Sequence, residues 1–263
     1  MFDFTPNTFS ELLTKLVASK YKFESFCQHC KFNNSSAKVI MRHDVDRNPQ
    51  NSAKIALIEN SLGIKGTYFF RIVPESNDLN IMTEIAKLGH EIGYHYEDVD
   101  LVLSNNKELR KMDLEQKIDA AFESFCKNLE QFRKNFDIRT ICMHGSPHAK
   151  YDNRIIWQRY NYRDLGIIGE PYFDLNYNEF AYLTDTGRRW NGDKFSLRDK
   201  VNSKYKFNFK STQDIIDGIN RLPDKVMFTI HPERWHDNPV LWLKELLLQN
   251  AKNQIKKIIV SRQ

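Results

Sequence analysis

No stretch of the 263-residue sequence approaches the roughly 18 uninterrupted apolar residues that a membrane-spanning helix needs. The N-terminal stretch MFDFTPNTFSELLTKLVASKYKF has no basic segment leading into an apolar one, and Glu11, Lys15 and Lys20 interrupt it. Export and a membrane span are therefore not expected, and a cytoplasmic location is. Cysteine is scarce: Cys27, Cys30, Cys126 and Cys142 are too few and too scattered to frame a domain of this size with disulfides. CQHC at 27–30 has zinc-knuckle or redox spacing, but no second pair completes it, and an incidental reduced pair is expected. Blocks of one charge are also missing. The net charge is +5, yet Lys and Arg are interspersed with Asp and Glu, and no nucleic-acid-binding motif occurs, so no nucleic-acid partner is expected.

What the chain does have is apolar and aromatic mass. Hydrophobic residues make up 41%, with 18 Phe, 11 Tyr and 4 Trp, enough to fill one large core. Residues 8–20 place Leu12, Leu13, Leu16 and Val17 on one helical face. After a polar break, helices and strands alternate. Strands are expected from Lys38 up to the HDVD cluster and at 67–72, 91–95, 138–143, 165–170, 180–185 and 225–230. Helices are expected at 49–62, 78–88, 105–135, 212–220 and from about 238. This alternation marks parallel βαβ units in an α/β fold of a single domain, with residues 1–36 as an N-terminal helical extension.

In such folds the reactive groups gather where strands end, because loops leave there on one face. The polar clusters follow that placement: HDVD after the first strand, HYED after EIGY, HGSP after TICM, DTGRRW after FAYL and HPERW after MFTI. On an extended strand alternate side chains share a face, so Asp44 and Asp46 point one way and His43 and Val45 the other. Two carboxylates this close call for a cation or a shared proton, although Asp46 also suits a helix cap before Pro49. His95 ends a strand and offers a neutral imidazole to a divalent ion, whereas His90 sits at a strand entrance and reads as structural. His144 is open between ligand, oxyanion support and loop residue, and His148 reads as solvated. His231 ends a strand before Pro232, and its ordinary pKa near 6.5 suits proton donation. Arg188, Arg189, Trp190 and Trp235 are either packing or groups facing a sugar.

In this order the residues resemble the polysaccharide deacetylase superfamily, the NodB-homology or carbohydrate esterase family 4 group. The likeness runs over about residues 37–235 and is strongest in RHDVDR, GIKGTYFF and LGHEIGYH. It implies a distorted (β/α) barrel of seven strands that removes N- or O-acetyl groups from glycans with a divalent metal, zinc. Asp44 is then similar to the catalytic base, Asp46 to the metal-binding aspartate, His95 to the first metal histidine and His231 to the general acid. Two departures stand out. Val45 separates the paired aspartates, and Val99 falls where a second metal histidine is expected, leaving His144, Glu97 or Asp98 to supply the third ligand. With His144 taken as that ligand, Glu97, Arg188, Trp190 and Trp235 are expected to face the substrate. The resemblance implies a saccharide, nucleotide- or lipid-linked, in surface-polysaccharide assembly. A catalytically silent sugar binder with Tyr94, Trp190 and Trp235 as platforms, and a hydrolase of a non-sugar C–N bond, are the alternatives.

Overall fold

The structure, a computed structural model, describes residues 2–32, 38–146, 149–190 and 201–260. Seven strands form one parallel sheet: β1 (Lys22–Glu24), β2 (Lys38–Val45), β3 (Thr67–Phe70), β4 (Glu91–Tyr96), β5 (Ile141–Met143), β6 (Phe180–Thr184) and β7 (Lys225–Ile230). Their spatial order is β5-β4-β3-β2-β7-β6, and β1 pairs with β2. Lys38, Val39 and Ile40 pair with both β1 and β7, while β3 pairs further along with residues 42–45. Hence β1 extends the edge that β3 occupies. The sheet curls into a distorted (β/α) barrel, with every residue of β2 buried, as a parallel strand covered on both faces requires.

Helices α1 (Pro6–Val17), α2 (Phe26–Phe32), α3 (Pro49–Ser61), α4 (Leu79–Lys87), α5 (Asp98–Asn105), α6 (Leu114–Arg133), α7 (Pro171–Asp174), α8 (Thr212–Asp217) and α9 (Pro239–Val260) punctuate the strands. Their starts are chemically marked. Thr5 caps α1 ahead of Pro6, Asp78 accepts from the Asn80 and Ile81 amides at α4, and Asp113 with Gln116 makes a capping box on α6.

Two expectations are corrected here. The segment expected as an N-terminal extension carries β1, and Phe9, Leu12, Leu13 and Leu16 of α1 are fully buried in the main core. The strand expected at 165–170 does not form: residues 162–165 make a 3-10 turn that ends at Gly166 in the left-handed region, and α7 starts at Pro171. The few residues between leave room for one bridge, Thr140 to Gly169.

Candidate metal and catalytic site

The carboxyl ends of β2, β4, β5 and β7 bring Asp44, Asp46, His95, His144 and His231 to one end of the barrel. Alternation along β2 decides which side chains arrive. Arg42 and Asp44 share the inner face, and Arg42 holds Asp44 through Nε to Oδ1 at 2.8 Å and Nη2 to Oδ2 at 2.6 Å. Burial opposes the charge on Asp44, but Arg42 and then His95 outweigh it and hold its carboxyl below the ordinary range. On β4, Gly93 shares the face of His95 and lets the Phe69 ring close in; a Cβ there would stand 2.4 Å from the ring.

The far nitrogens of the two site imidazoles are held unequally, His95 by a hydrogen bond and His144 by an ion-pair contact alone, its Nδ1 making no hydrogen bond among the described residues. Nδ1 of His95 donates to the Cys142 carbonyl at 2.9 Å, so in the neutral ring Nε2 is the acceptor. Nδ1 of His144 lies 3.0 Å from Glu97 Oε2, an ion-pair contact. Glu97 is itself clamped by Arg71 at 2.8 and 2.7 Å, and Arg71 also donates to the Asp46 carbonyl at 2.9 Å. The two Nε2 atoms then converge on Asp46 Oδ1, from 3.5 Å for His95 and 3.6 Å for His144.

That oxygen is buried and receives no hydrogen bond among the described residues, although the Asp46 side chain as a whole is 23% exposed. Separations of this size are too long for good hydrogen bonds. They match the edge of a tetrahedron around an ion bonded at about 2.0–2.1 Å, which is about 3.4 Å. An orphaned buried oxygen facing two oriented imidazoles fits a divalent cation. Asp44, His95 and Cys142 form an overlapping donor group. It is the poorer one, because Arg42 already occupies both Asp44 oxygens. Burial disfavours charge on Asp46, but His144, His231 and His95 outweigh it and set its carboxyl well below the usual range.

His231 directly follows β7, close enough to help lower the carboxyls of Asp44 and Asp46. Asp185, fully buried at the end of β6, accepts from the His231 amide at 3.0 Å, the Trp235 indole at 2.8 Å and Arg234 at 2.9 Å, and contacts His231 Nδ1 at 2.6 Å. Burial and Arg234 oppose a proton on His231, yet Asp185 and then Asp46 outweigh them, so its pKa is raised. Nε2 is the atom left for proton donation. Glu233, buried beside it, is pushed up to about 7 by burial and then by Asp46, and its Oε2 receives no hydrogen bond among the described residues.

The residues expected to face substrate lie elsewhere. Trp190 is 3% exposed and donates to Thr212, and Trp235 is 2% exposed, packed on Phe4 and Phe9 and bonded to Asp185. Both indoles are core, because a buried indole N–H needs an acceptor and each has one inside the protein. Arg188 is buried in a left-handed turn with its guanidinium over the Trp242 ring at 4.7 Å. Glu97 stands behind His144, bonded to Arg71. Tyr94 is fully buried and donates to Asp98, which also accepts from Ser124 and Asn128, so neither side chain is left for sugar or metal. His148 lies outside the described residues.

Arg42, Arg71, Asp185, Glu233 and Arg234 escaped the sequence reading. The face shared with Asp44 marks Arg42, and the position directly after β6 marks Asp185. Nothing local marks Arg71, whose partner is 26 residues away.

No protein-family model matches the chain, and no curated protein matches it in sequence. Among solved structures it is similar to a family 4 carbohydrate esterase from Bacillus anthracis, at 8% identity and a TM-score of 0.40 over 92% of this chain and 84% of the other. It is also similar to the Xyl-CE4 domain of a multidomain xylanase from the hindgut metagenome of Trinervitermes trinervoides, at 14% identity and a TM-score of 0.40 over 84% of this chain and 85% of the other. Likeness this distant carries no argument about the site, whose chemistry is read from its own geometry.

Proposed function

We propose that the chain is a metal-dependent hydrolase that removes an acyl group, N- or O-acetyl, from a saccharide. One observation carries the reading: two imidazoles, His95 held by the Cys142 carbonyl and His144 in ion-pair contact with Glu97, bring Nε2 to one buried carboxylate oxygen that has no donor of its own. Asp46, His95 and His144 would hold the ion. When bound, a divalent ion, zinc in our reading, supplies a polarised acyl carbonyl and a more acidic water.

The chain's own groups do the proton handling. Each Asp44 oxygen gives one lone pair to Arg42 and keeps another, so Asp44 stays ionised, fixed in place and able to accept a proton during attack. His231, oriented by Asp185, which also raises its pKa, gives a proton to the departing amine or alcohol. Arg71 and Glu97 position His144. Glu233 adds a carboxyl near neutrality on the same side. The motifs RHDVDR and LGHEIGYH support a saccharide substrate. We assign it to cytoplasmic surface-polysaccharide assembly as a nucleotide- or lipid-linked sugar.

The test is metal analysis of protein purified without chelator, together with hydrolysis of acylated sugars. One equivalent of metal and turnover are expected, and both should vanish in Asp46→Ala without loss of fold. A metal-free native protein, or an Asp46→Ala variant that still hydrolyses normally, refutes the reading.

A further inference from the structure

The closing helix is built the reverse of a helix lying on a protein. After Trp242, which lies under Arg188 in the first turn, the side of α9 turned inward is polar: Glu245 accepts from Arg47 through both oxygens at 3.0 Å, Gln249 donates to Asn253 at 3.1 Å, and Asn253 donates to the Gly187 carbonyl at 3.0 Å. These three recur at i, i+4 and i+8, one helical face. The outward side carries Val240, Leu241, Leu243, Leu247 and Leu248, between 43% and 74% exposed. Val240, Leu243 and Leu247 stand at i, i+3 and i+7, and Leu241 and Leu248 lie across the exposed Lys244, whose i±3 and i±4 neighbours are four of these five residues. At its start Phe2, itself exposed, packs on the Trp242 ring with centroids 4.7 Å apart. An apolar patch of this kind, centred on one lysine, marks an interaction surface.

Charge selects the occupant. Residues 239–263 contain Lys244, Lys252, Lys256, Lys257 and Arg262 against Glu245, five minus one, which is +4 of the chain's net +5. The one acid faces inward on Arg47, while Lys244 and Lys252 are exposed. A second copy of this helix would set lysine against lysine with no exposed acid to answer. An anionic lipid surface answers both features, taking the leucines into its acyl boundary while lysine stems reach the headgroups.

We propose that the outward face of α9 docks the protein on an anionic lipid bilayer, lying in its surface and not crossing it. The helix is bonded to the loops of the candidate site, since Arg47 follows Asp46 and Gly187 follows Asp185 by two residues. Docking therefore sets the barrel mouth beside the bilayer. If the hydrolase reading holds, the saccharide reaches the mouth on a lipid carrier; the docking itself does not rest on that reading.

The experiment is flotation of the full chain with vesicles of phosphatidylcholine alone and of phosphatidylcholine mixed with phosphatidylglycerol. Binding is expected to the mixed vesicles, to weaken with added salt and in the doubly substituted Lys244→Glu, Lys252→Glu chain, and to fall at least roughly tenfold in Leu243→Asp, Leu247→Asp. Circular dichroism and hydrolysis of a water-soluble acylated sugar report separately on fold and chemistry. If that hydrolysis fails while flotation succeeds, the hydrolase reading falls and the docking stands. No flotation by the native chain overturns the proposal, whether the chain is monomeric or a dimer that Leu247→Asp splits. Flotation undiminished in the leucine variant overturns it too.

Discussion

Two clusters of histidine and carboxylate are built from neighbouring residues of the same strands, and only one has the makings of a reactive centre. His43 and Asp44 are adjacent on β2, yet alternation sends them to opposite faces. His43 enters a knot under α3, where Glu59 meets His43 Nε2 at 2.8 Å and accepts from the Tyr68 hydroxyl at 2.7 Å. His90 completes the knot with both nitrogens on backbone, Nδ1 taking the Gly66 amide at 3.0 Å and Nε2 donating to the Ala56 carbonyl at 3.0 Å. In this knot the Glu59 oxygens are answered, although His43 Nδ1 finds no partner among the described residues. At the mouth an imidazole nitrogen, His144 Nδ1, likewise lacks a hydrogen bond among the described residues, but there a carboxylate oxygen, Asp46 Oδ1, also goes unanswered while two imidazoles point at it. A buried imidazole beside a carboxylate is therefore not by itself a site. Unanswered acceptors that share one focus are what a cation requires.

The sharpest way to break the comparison uses the two histidines at the ends of β4. His95→Ala is expected to abolish stoichiometric metal binding, beyond the roughly 100-fold loss that removing an outer partner brings, at a stability cost to the metal-free protein no larger than that of His90→Ala, since it takes one donor from the Cys142 carbonyl. His90→Ala is expected to do the opposite. It leaves the Gly66 amide without its acceptor and should destabilise by about 1–3 kcal/mol while metal stoichiometry per folded molecule holds. Calorimetric metal titration and denaturant melts of both variants decide it. If His90→Ala loses the metal and His95→Ala the stability, the two clusters have been assigned the wrong way round.

A smaller effect sharpens the mouth itself. His231 is raised because Asp185 outweighs burial and Arg234, so the protonated imidazole persists above its usual pKa, and activity that needs this proton falls only as pH rises through the folded value. Asp185→Asn removes the favourable charge and leaves burial and Arg234 in place. The alkaline limb of the pH–rate profile should then move to lower pH. A limb that stays put would show that another group gives the proton, with Glu233 next in line.

Much of this arrangement could be read before any coordinates, for definite reasons. Parallel strands covered on both faces need apolar runs, so KVIM and KVMFTI mark β2 and β7, and the polar residues that end such runs lie at the rim, although β2 itself runs on through His43 and Asp44 to Val45. Asp44, Asp46, His95, His144 and His231 come together there. β1 was illegible because three residues, KFE, carry no period, and pairing with Lys38–Ile40 alone makes them a strand. The tryptophans misled because an indole near arginine and aspartate looks the same whether it stacks on a sugar or gives its N–H to a buried carboxylate; Asp185, 50 residues from Trp235, decided that. The reversal of α9 was invisible for a similar reason, since periodicity shows that a helix has two faces but not which one turns inward.

The finest test concerns a carboxylate beside the mouth that resembles the knot. Asp98, three residues beyond His95, takes Ser124 and Asn128 on one oxygen and the Tyr94 hydroxyl on the other. Burial nevertheless pushes it up to about 6. Because this lies above the value in an unfolded chain, the folded protein holds the extra proton in between. Its contribution to stability is full below about pH 4 and lost as pH rises through about 6. Asp98→Asn keeps an oxygen for Ser124 and Asn128 and offers its amide to the Tyr94 hydroxyl. It should leave metal binding intact, alter stability at neutral pH by about 1 kcal/mol or less, and flatten the fall in stability between pH 4 and 6 in chemical melts. A loss of metal in this variant would mean that answered carboxylates also serve the ion, and the distinction between the two clusters would fail at its most sensitive point.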